Sequence, residues 1–258
     1  MCLHAPSGEG SAASEMGGLW GGTRTRGRDR GLRHLRVLVT GCGRSGTRYL
    51  SFVLRRLGLD VGHERVGRDG VISWALAVDD DEPPWGPCGR DLSFDIVLHQ
   101  VREPLRVMNS ASTFKEESWR FIARHVPCPE TAPLPLRAAA YWYYWNVAAE
   151  RSARFTYRIE DLPRALPEIC RLLDVPYDPS VLQRVPGDVN TRNAGRLFHL
   201  AEEGCERLRL EMPAWARRTF TRPPVAAPVT FGFDDVRALD AQLCDLVVEK
   251  ARAYGYAL

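Results

Sequence analysis

Four short stretches of this 258-residue chain hold side chains that can do chemistry together. The first is Gly41-Cys42-Gly43-Arg44-Ser45-Gly46-Thr47-Arg48, glycines interleaved with hydroxyls and arginines. An apolar run, Val37 to Val39, precedes it and reads as a buried strand, and Leu50, Val53, Leu54 and Leu57 follow at helical spacing. Strand, glycine loop and helix make an anion site. Loop amides and the positive end of the helix dipole converge there, and glycine lets the backbone come close. The second stretch, Gly62-His63-Glu64, ends a short strand with two candidate proton acceptors. The third pairs Arg102, after the strand signal Asp95 to Val101, with Ser110, two turns into a helix that Pro104 opens. A guanidinium fork and a hydroxyl can grip one phosphate, although an arginine capping carbonyls beside a surface serine would look the same. The fourth is Phe155 to Leu162, a strand turning at Glu160-Asp161 into a helix that begins near Pro163.

The loop admits three readings. Gly41 and Gly46 have the spacing of the Walker loop G-x-x-x-x-G-K-[ST], but Thr47 stands at the lysine position and Arg48 at the magnesium-binding hydroxyl. A loop without both groups is poorly equipped for magnesium–ATP chemistry. Gly41 to Gly46 also matches the dinucleotide pattern G-x-G-x-x-G, with Asp60 or Glu64 as the acidic residue about 20 positions on. In the third reading the loop holds a phosphosulfate, and Arg44 supplies positive charge to the transferring group. The downstream stretches favour the third.

These residues need a scaffold, and the chain has the means to build one. Its length suits a full core in one domain, and 45% apolar with 26% charged residues is a soluble globular composition. The absence of an apolar run of 18 residues argues against a membrane span. The formal charge of +3 is accounted for by residues 1–36, where arginines 24, 26, 28, 30, 33 and 36 face Glu9, Glu15 and Asp29. The balanced remainder argues against a nucleic-acid face. Seven scattered cysteines without C-x-x-C read as reduced cytoplasmic thiols rather than a disulfide framework or zinc site. Residues 1–32 are expected to be a disordered tail, a transit peptide being the alternative; residues 33–258 form the domain.

At this point the sequence resembles the PAPS-dependent sulfotransferases (PAPS is 3′-phosphoadenosine 5′-phosphosulfate) over roughly residues 36–258. Gly43-Arg44-Ser45-Gly46-Thr47 looks like the phosphosulfate loop, in the arginine version of protein-tyrosine and several bacterial members. Arg102 and Ser110 have the family's 3′-phosphate spacing, Ile159-Glu160-Asp161-Leu162 resembles its strand-ending Tyr-Glu-Asp-Leu, and Leu239 to Tyr254 with Gly255-Tyr256 resembles its closing helix. Arg48 replaces the usual second Thr or Ser, and Ile159 the usual Tyr. The late basic loop has no clear counterpart, and Arg192 is the candidate substitute.

The resemblance implies an α/β fold, a parallel sheet flanked by helices with a P-loop-like sulfotransferase topology. It implies sulfuryl transfer from PAPS to a hydroxyl or amine of a small-molecule, carbohydrate or peptide acceptor, leaving PAP and needing no metal. Gly43, Arg44, Ser45, Gly46, Thr47, Arg48, Arg102, Ser110 and Arg192 would hold the nucleotide, and Arg44 would offset charge on the leaving oxygen. Glu64 is the favoured base, resembling a glutamate of the protein-tyrosine branch, and His63 is its rival. A Rossmann-type NAD(P) enzyme and a non-catalytic phosphonucleotide binder remain the alternatives.

Several other residues have bland readings that the spacing favours. His99 inside an apolar strand is expected to be structural, and Glu103 a helix-start acid. The acids Asp79 to Glu82, followed by prolines, read as a solvated turn rather than a metal site. In the helix Leu136 to Arg151, Tyr141, Tyr144 and Trp145 share a core face, whereas Trp142 and Asn146 either pack or line an acceptor pocket. Trp74 either packs or stacks on adenine. The stretch holding Trp215, Arg217, Arg218, Phe220 and Arg222 reads as a solvated loop, the alternatives being a lid over the site or a surface for an acidic acceptor.

Overall fold

A four-residue strand, Val37–Thr40 (β1), has every residue buried and is covered on both faces. A computed structural model describes residues 35–80, 82–84, 92–185, 204 and 229–258, all within the unit His34–Leu258. β1 runs through the Gly41–Gly46 loop into the helix Thr47–Arg56 (α1), followed by strands Val61–His63 (β2) and Gly70–Ile72 (β3). Ala75–Ala77 forms a 3₁₀ turn, so Val71 to Ala77, which as sequence reads as helix or strand, is divided between the two. Next come Ile96–Val101 (β4), helices Pro104–Ala111 (α2), Glu116–Ala123 (α3) and Leu134–Glu150 (α4), and Phe155–Arg158 (β5). The 3₁₀ turn Ile159–Asp161 leads into Leu162–Leu172 (α5), and Val181–Arg184 (α6) follows. The chain closes with Phe233–Leu239 (α7) and Ala241–Ala253 (α8). The closing helix expected from Leu239 is divided at Asp240, whose carboxylate caps α8 by accepting from the Leu243 amide at 2.9 Å.

The sheet is an α/β sheet in the order β2-β3-β1-β4-β5, with every pairing parallel. One face packs Val39, Ile72 and Leu98 against Leu50, Val53 and Leu54 of α1 and Leu166 and Ile169 of α5. The other is covered by α2, α4 and α8, with Met108, Tyr141, Trp142, Trp145 and Val247 in one cluster. Trp142 and Asn146 are as fully buried as Tyr141 and Trp145, because α4 is enclosed on several sides. They are core residues, not an acceptor pocket. Trp74 is likewise packed, its ring 5.6 Å from Phe114 and 5.3 Å from Trp145.

Chain direction across the sheet reverses between β1 and β4. The connection after β1 leads towards β2 on one side, and the connection after β4 leads to β5 on the other. Connections that diverge in this way leave a crevice beyond the carboxyl ends of the two strands, the usual ligand position in open parallel sheets. Thr40 and Val101 end the two strands, so the glycine loop and Arg102 border that crevice. Leu98, fully buried between β1 and β5, supports both. Leu98→Ala should cost about 2–5 kcal/mol in urea unfolding through the cavity it leaves; a change under about 1 kcal/mol would mean that the central strands are not packed as described.

Candidate active site

Gly41 turns the chain out of β1 at φ 142°, where a Cβ would lie 2.1 Å from the carbonyl oxygen of Gln100. No other residue fits so close to the neighbouring strand. At Gly43 a Cβ would meet Phe114, Tyr141 and Trp74 at 3.1–3.2 Å, so an aromatic floor lies against the loop. The Gly43 amide donates to the Tyr141 hydroxyl at 2.5 Å and the Ser45 amide to the Cys42 carbonyl at 3.2 Å. Those two amides are therefore engaged within the protein. The amides that remain for a ligand are those at the start of α1, where the first turn has no intrahelical acceptors. Gly46, at φ 90°, caps that helix without a side chain.

Two side chains hold the loop by its carbonyls. Gln100, buried in β4, donates from Nε2 to the Ser45 carbonyl at 2.8 Å, and its Oε1 accepts from the Tyr157 hydroxyl at 2.9 Å. Arg102 donates from Nη1 to the Arg44 carbonyl at 2.8 Å. Burial lowers the Arg102 pKa while Glu160 opposes the shift, and a guanidinium remains charged even so. Glu160 in turn accepts from the Glu103 amide at 3.1 Å and the Tyr256 hydroxyl at 2.9 Å, and Arg158 donates to the Gly255 carbonyl. The Glu-Asp corner and the chain's last residues thus meet beside Arg102. Ser110 is buried in α2, and its carbonyl accepts from Thr113, whose own carbonyl lies 3.5 Å from Arg44 Nη2.

Arg44 sits at φ 73° with its guanidinium 5.0 Å above the Phe114 ring. Among the described residues, Arg44, Glu64 and Asp174 are the non-glycine positions with positive φ. Two of these three strained positions are candidate site residues, as expected where geometry serves function. Ser45 is wholly buried, and its hydroxyl has no partner among the described residues. Arg48 lies on α1 with its guanidinium 5.7 Å from the Phe52 ring. Arg192 and the stretch with Trp215 and Phe220 lie outside the described residues, as does the N-terminal tail.

His63 ends β2 and Glu64 follows it at the same edge of the sheet. His63 Nε2 is 3.2 Å from Thr47 Oγ1 and 3.9 Å from Glu64 Oε1. The Glu64 carboxylate accepts from the Ser73 hydroxyl at 2.8 Å and, weakly, from the Trp74 amide at 3.4 Å. Its side chain is 19% exposed, and burial raises its pKa from the usual 4.5 to about 8, against the hydrogen bonds that lower it. Asp60 instead precedes β2 at the opposite end of the strand, where it holds the Arg68 amide at 3.2 Å.

The remaining candidates are structural. His99 is buried between Thr156 at 3.3 Å and Asn146 at 3.0 Å, and burial lowers its pKa to about 4. Glu103 caps α2 by accepting from the Leu105 and Arg106 amides. Asp80 is tied to Arg124 and His125 rather than solvated. Sequence reading missed Gln100, Tyr141 and Tyr157. An amide inside an otherwise apolar strand was the available signal for Gln100; the two tyrosines gave none.

No family model and no curated protein matches the chain. Among solved structures, mouse sulfotransferase SULT7A1 complexed with PAP is similar to it. The alignment covers 86% of this chain and 90% of that one, at 12% identity and a TM-score of 0.36. Among the described residues, no helix is long and apolar enough to cross a membrane.

The Glu64 carboxyl makes stability depend on pH with a defined sign. Unfolded, it ionises near 4.5; folded, it keeps its proton up to about 8. Its protonation therefore stabilises the fold fully below about pH 4.5, and that contribution is lost as pH rises through about 8. Glu64→Gln is neutral throughout and should escape that decline, gaining on the wild type between about pH 5 and 9 in urea titrations. Identical pH dependence in the two proteins would contradict the burial of this carboxyl.

Proposed function

We propose that the chain is a sulfotransferase that moves a sulfuryl group from PAPS to a hydroxyl or amine acceptor. The observation that carries this reading is the reach of Arg102 from the end of β4 to the Arg44 carbonyl, 2.8 Å away. It joins the two anion-binding stretches at the crevice where the sheet reverses. The first-turn amides of α1, with the Ser45 and Thr47 hydroxyls, hold the 5′-phosphosulfate. An oxyanion seated there gives the buried Ser45 hydroxyl the acceptor it lacks. Arg102 and Ser110 hold the 3′-phosphate, the group that distinguishes PAP from AMP. When bound, PAPS supplies an activated sulfuryl group on a phosphate leaving group. Arg44 stays charged at every working pH and offsets charge on the bridging oxygen. Glu64 takes the acceptor's proton.

Of the two acids the dinucleotide alternative could use, Asp60 lies at the wrong end of β2 to meet a ribose at the carboxyl edge, and Glu64, at the right end, has its carboxylate engaged by Ser73 and Trp74. The Walker alternative still lacks its lysine. The acceptor can be a small alcohol, phenol, carbohydrate or peptide.

Arg44→Ala should lower the rate of sulfuryl transfer about 10²–10³-fold, as loss of a transition-state donor does; full activity would remove Arg44 from this role. Arg102→Ala should weaken PAP much more than adenosine 5′-phosphosulfate in equilibrium binding, because only PAP carries the 3′-phosphate. Equal weakening of the two would assign Arg102 to the loop alone.

A further inference from the structure

The cation assigned to the leaving oxygen is held from two sides. Arg102 Nη1 fixes its backbone by donating to the Arg44 carbonyl at 2.8 Å. Its guanidinium lies 5.0 Å from the centre of the Phe114 ring, and its Nη2 lies 3.5 Å from the Thr113 carbonyl oxygen. From the geometry we infer that Phe114 is a positioning residue that sets the Arg44 guanidinium for the 5′ anion of the nucleotide. The inference rests on the sulfotransferase reading and adds to it the group that aims its cation.

Phe114 is itself fixed by its surroundings. Its ring stacks on Trp74 at 5.6 Å and 18°, and stands edge-on to Tyr141 at 5.6 Å and to Trp119 at 5.7 Å. The Phe114 amide donates to the Ala111 carbonyl at 2.8 Å. The Thr113 amide and hydroxyl both donate to the Ser110 carbonyl, at 3.2 and 2.9 Å. The end of α2 therefore presents a ring face and a carbonyl oxygen side by side, both attractive to a cation. A carboxylate would also hold a guanidinium, but it would cancel the charge and take up paired N–H donors. A ring face holds the cation by its quadrupole and leaves the positive charge uncancelled. That is the partner a cation needs if its charge is to act on an oxyanion. An arginine side chain is rich in rotamers, and ordering it only when the nucleotide arrives would subtract from binding. Resting on Phe114, it is ordered beforehand.

The test is a double-mutant cycle on nucleotide binding, which needs no acceptor. Calorimetry compares PAP, whose 5′-phosphate presents the oxygen that bears charge after transfer, with adenosine 3′-phosphate, which lacks it. Phe114→Leu should weaken PAP about tenfold, the size of a partly desolvated cation–π contact, and leave adenosine 3′-phosphate unchanged. In the Arg44→Ala background the same substitution should change neither nucleotide, because the ring then has no cation to position. Should Phe114→Leu fail to fold, Phe114→Met, which fills the space without a ring face, takes its place in the cycle. Equal weakening of both nucleotides, or an equal loss of PAP affinity with and without Arg44, overturns the inference alone, since the ring then only shapes the loop. A Phe114→Leu protein that binds PAP as tightly as the wild type overturns it too. Failure of the wild type to bind PAP overturns the inference together with the reading beneath it.

Discussion

The hydrogen bond from the Gln100 amide to the Ser45 carbonyl decides which way the glycine loop faces. A carbonyl turned into the sheet forces the succeeding amides outward, and α1 begins with those amides. Gln100 is itself held, because the Tyr157 hydroxyl satisfies its other end. The relay therefore runs from β5 through β4 to the loop, wholly inside the protein. Leaving one of these groups unpaired would cost about 1–3 kcal/mol, which makes the arrangement stiff as well as stable. Arg102 repeats the device one residue earlier, from the solvent side, on the Arg44 carbonyl.

Under the loop lies an aromatic floor. Tyr141 takes the Gly43 amide, Trp74 and Phe114 close the space where a side chain would stand, and Arg44 rests on Phe114. This floor comes from α4 and from the segments after β3 and α2, so the residues that shape the loop are far from it in sequence. It also gives the aromatic run of α4 its purpose. Tyr141, Trp142 and Trp145 are all core, and Tyr141 supports the glycine loop from below.

The fold was largely legible. β1, α1, β4 and α5 follow from apolar runs and from 3.6-residue spacing, and Pro104 opens α2 as its fixed φ suggests. The shorter elements were harder: β2 and β3 are three residues each, too short for a period to register. The geometry of the candidate site was legible where it is local. Glycine spacing marked the loop, and Arg102 at a strand end marked its partner. It was illegible where burial assigns the role. Whether Gly43 offers its amide to a ligand or to Tyr141 is set by a helix some hundred residues away, and the Glu64 pKa is raised because burial outweighs the Ser73 and Trp74 hydrogen bonds that favour its ionised form. Trp142 and Asn146 looked divisible from Tyr141 on a helical wheel, but a helix enclosed on several sides has no wet face.

The central claim is that the crevice between β1 and β4 is built for a nucleotide bearing both a 5′ and a 3′ anion. Its most direct test is the melting temperature with PAP, set against AMP, magnesium–ATP and NAD(P) at equal concentration. A ligand at about 100 times its dissociation constant adds about 2.7 kcal/mol to stability, which a melting curve resolves. The account predicts a rise with PAP and none of comparable size with the others. A rise with NAD(P) and none with PAP would contradict it, and would make Gly41, Gly43 and Gly46 a dinucleotide fingerprint.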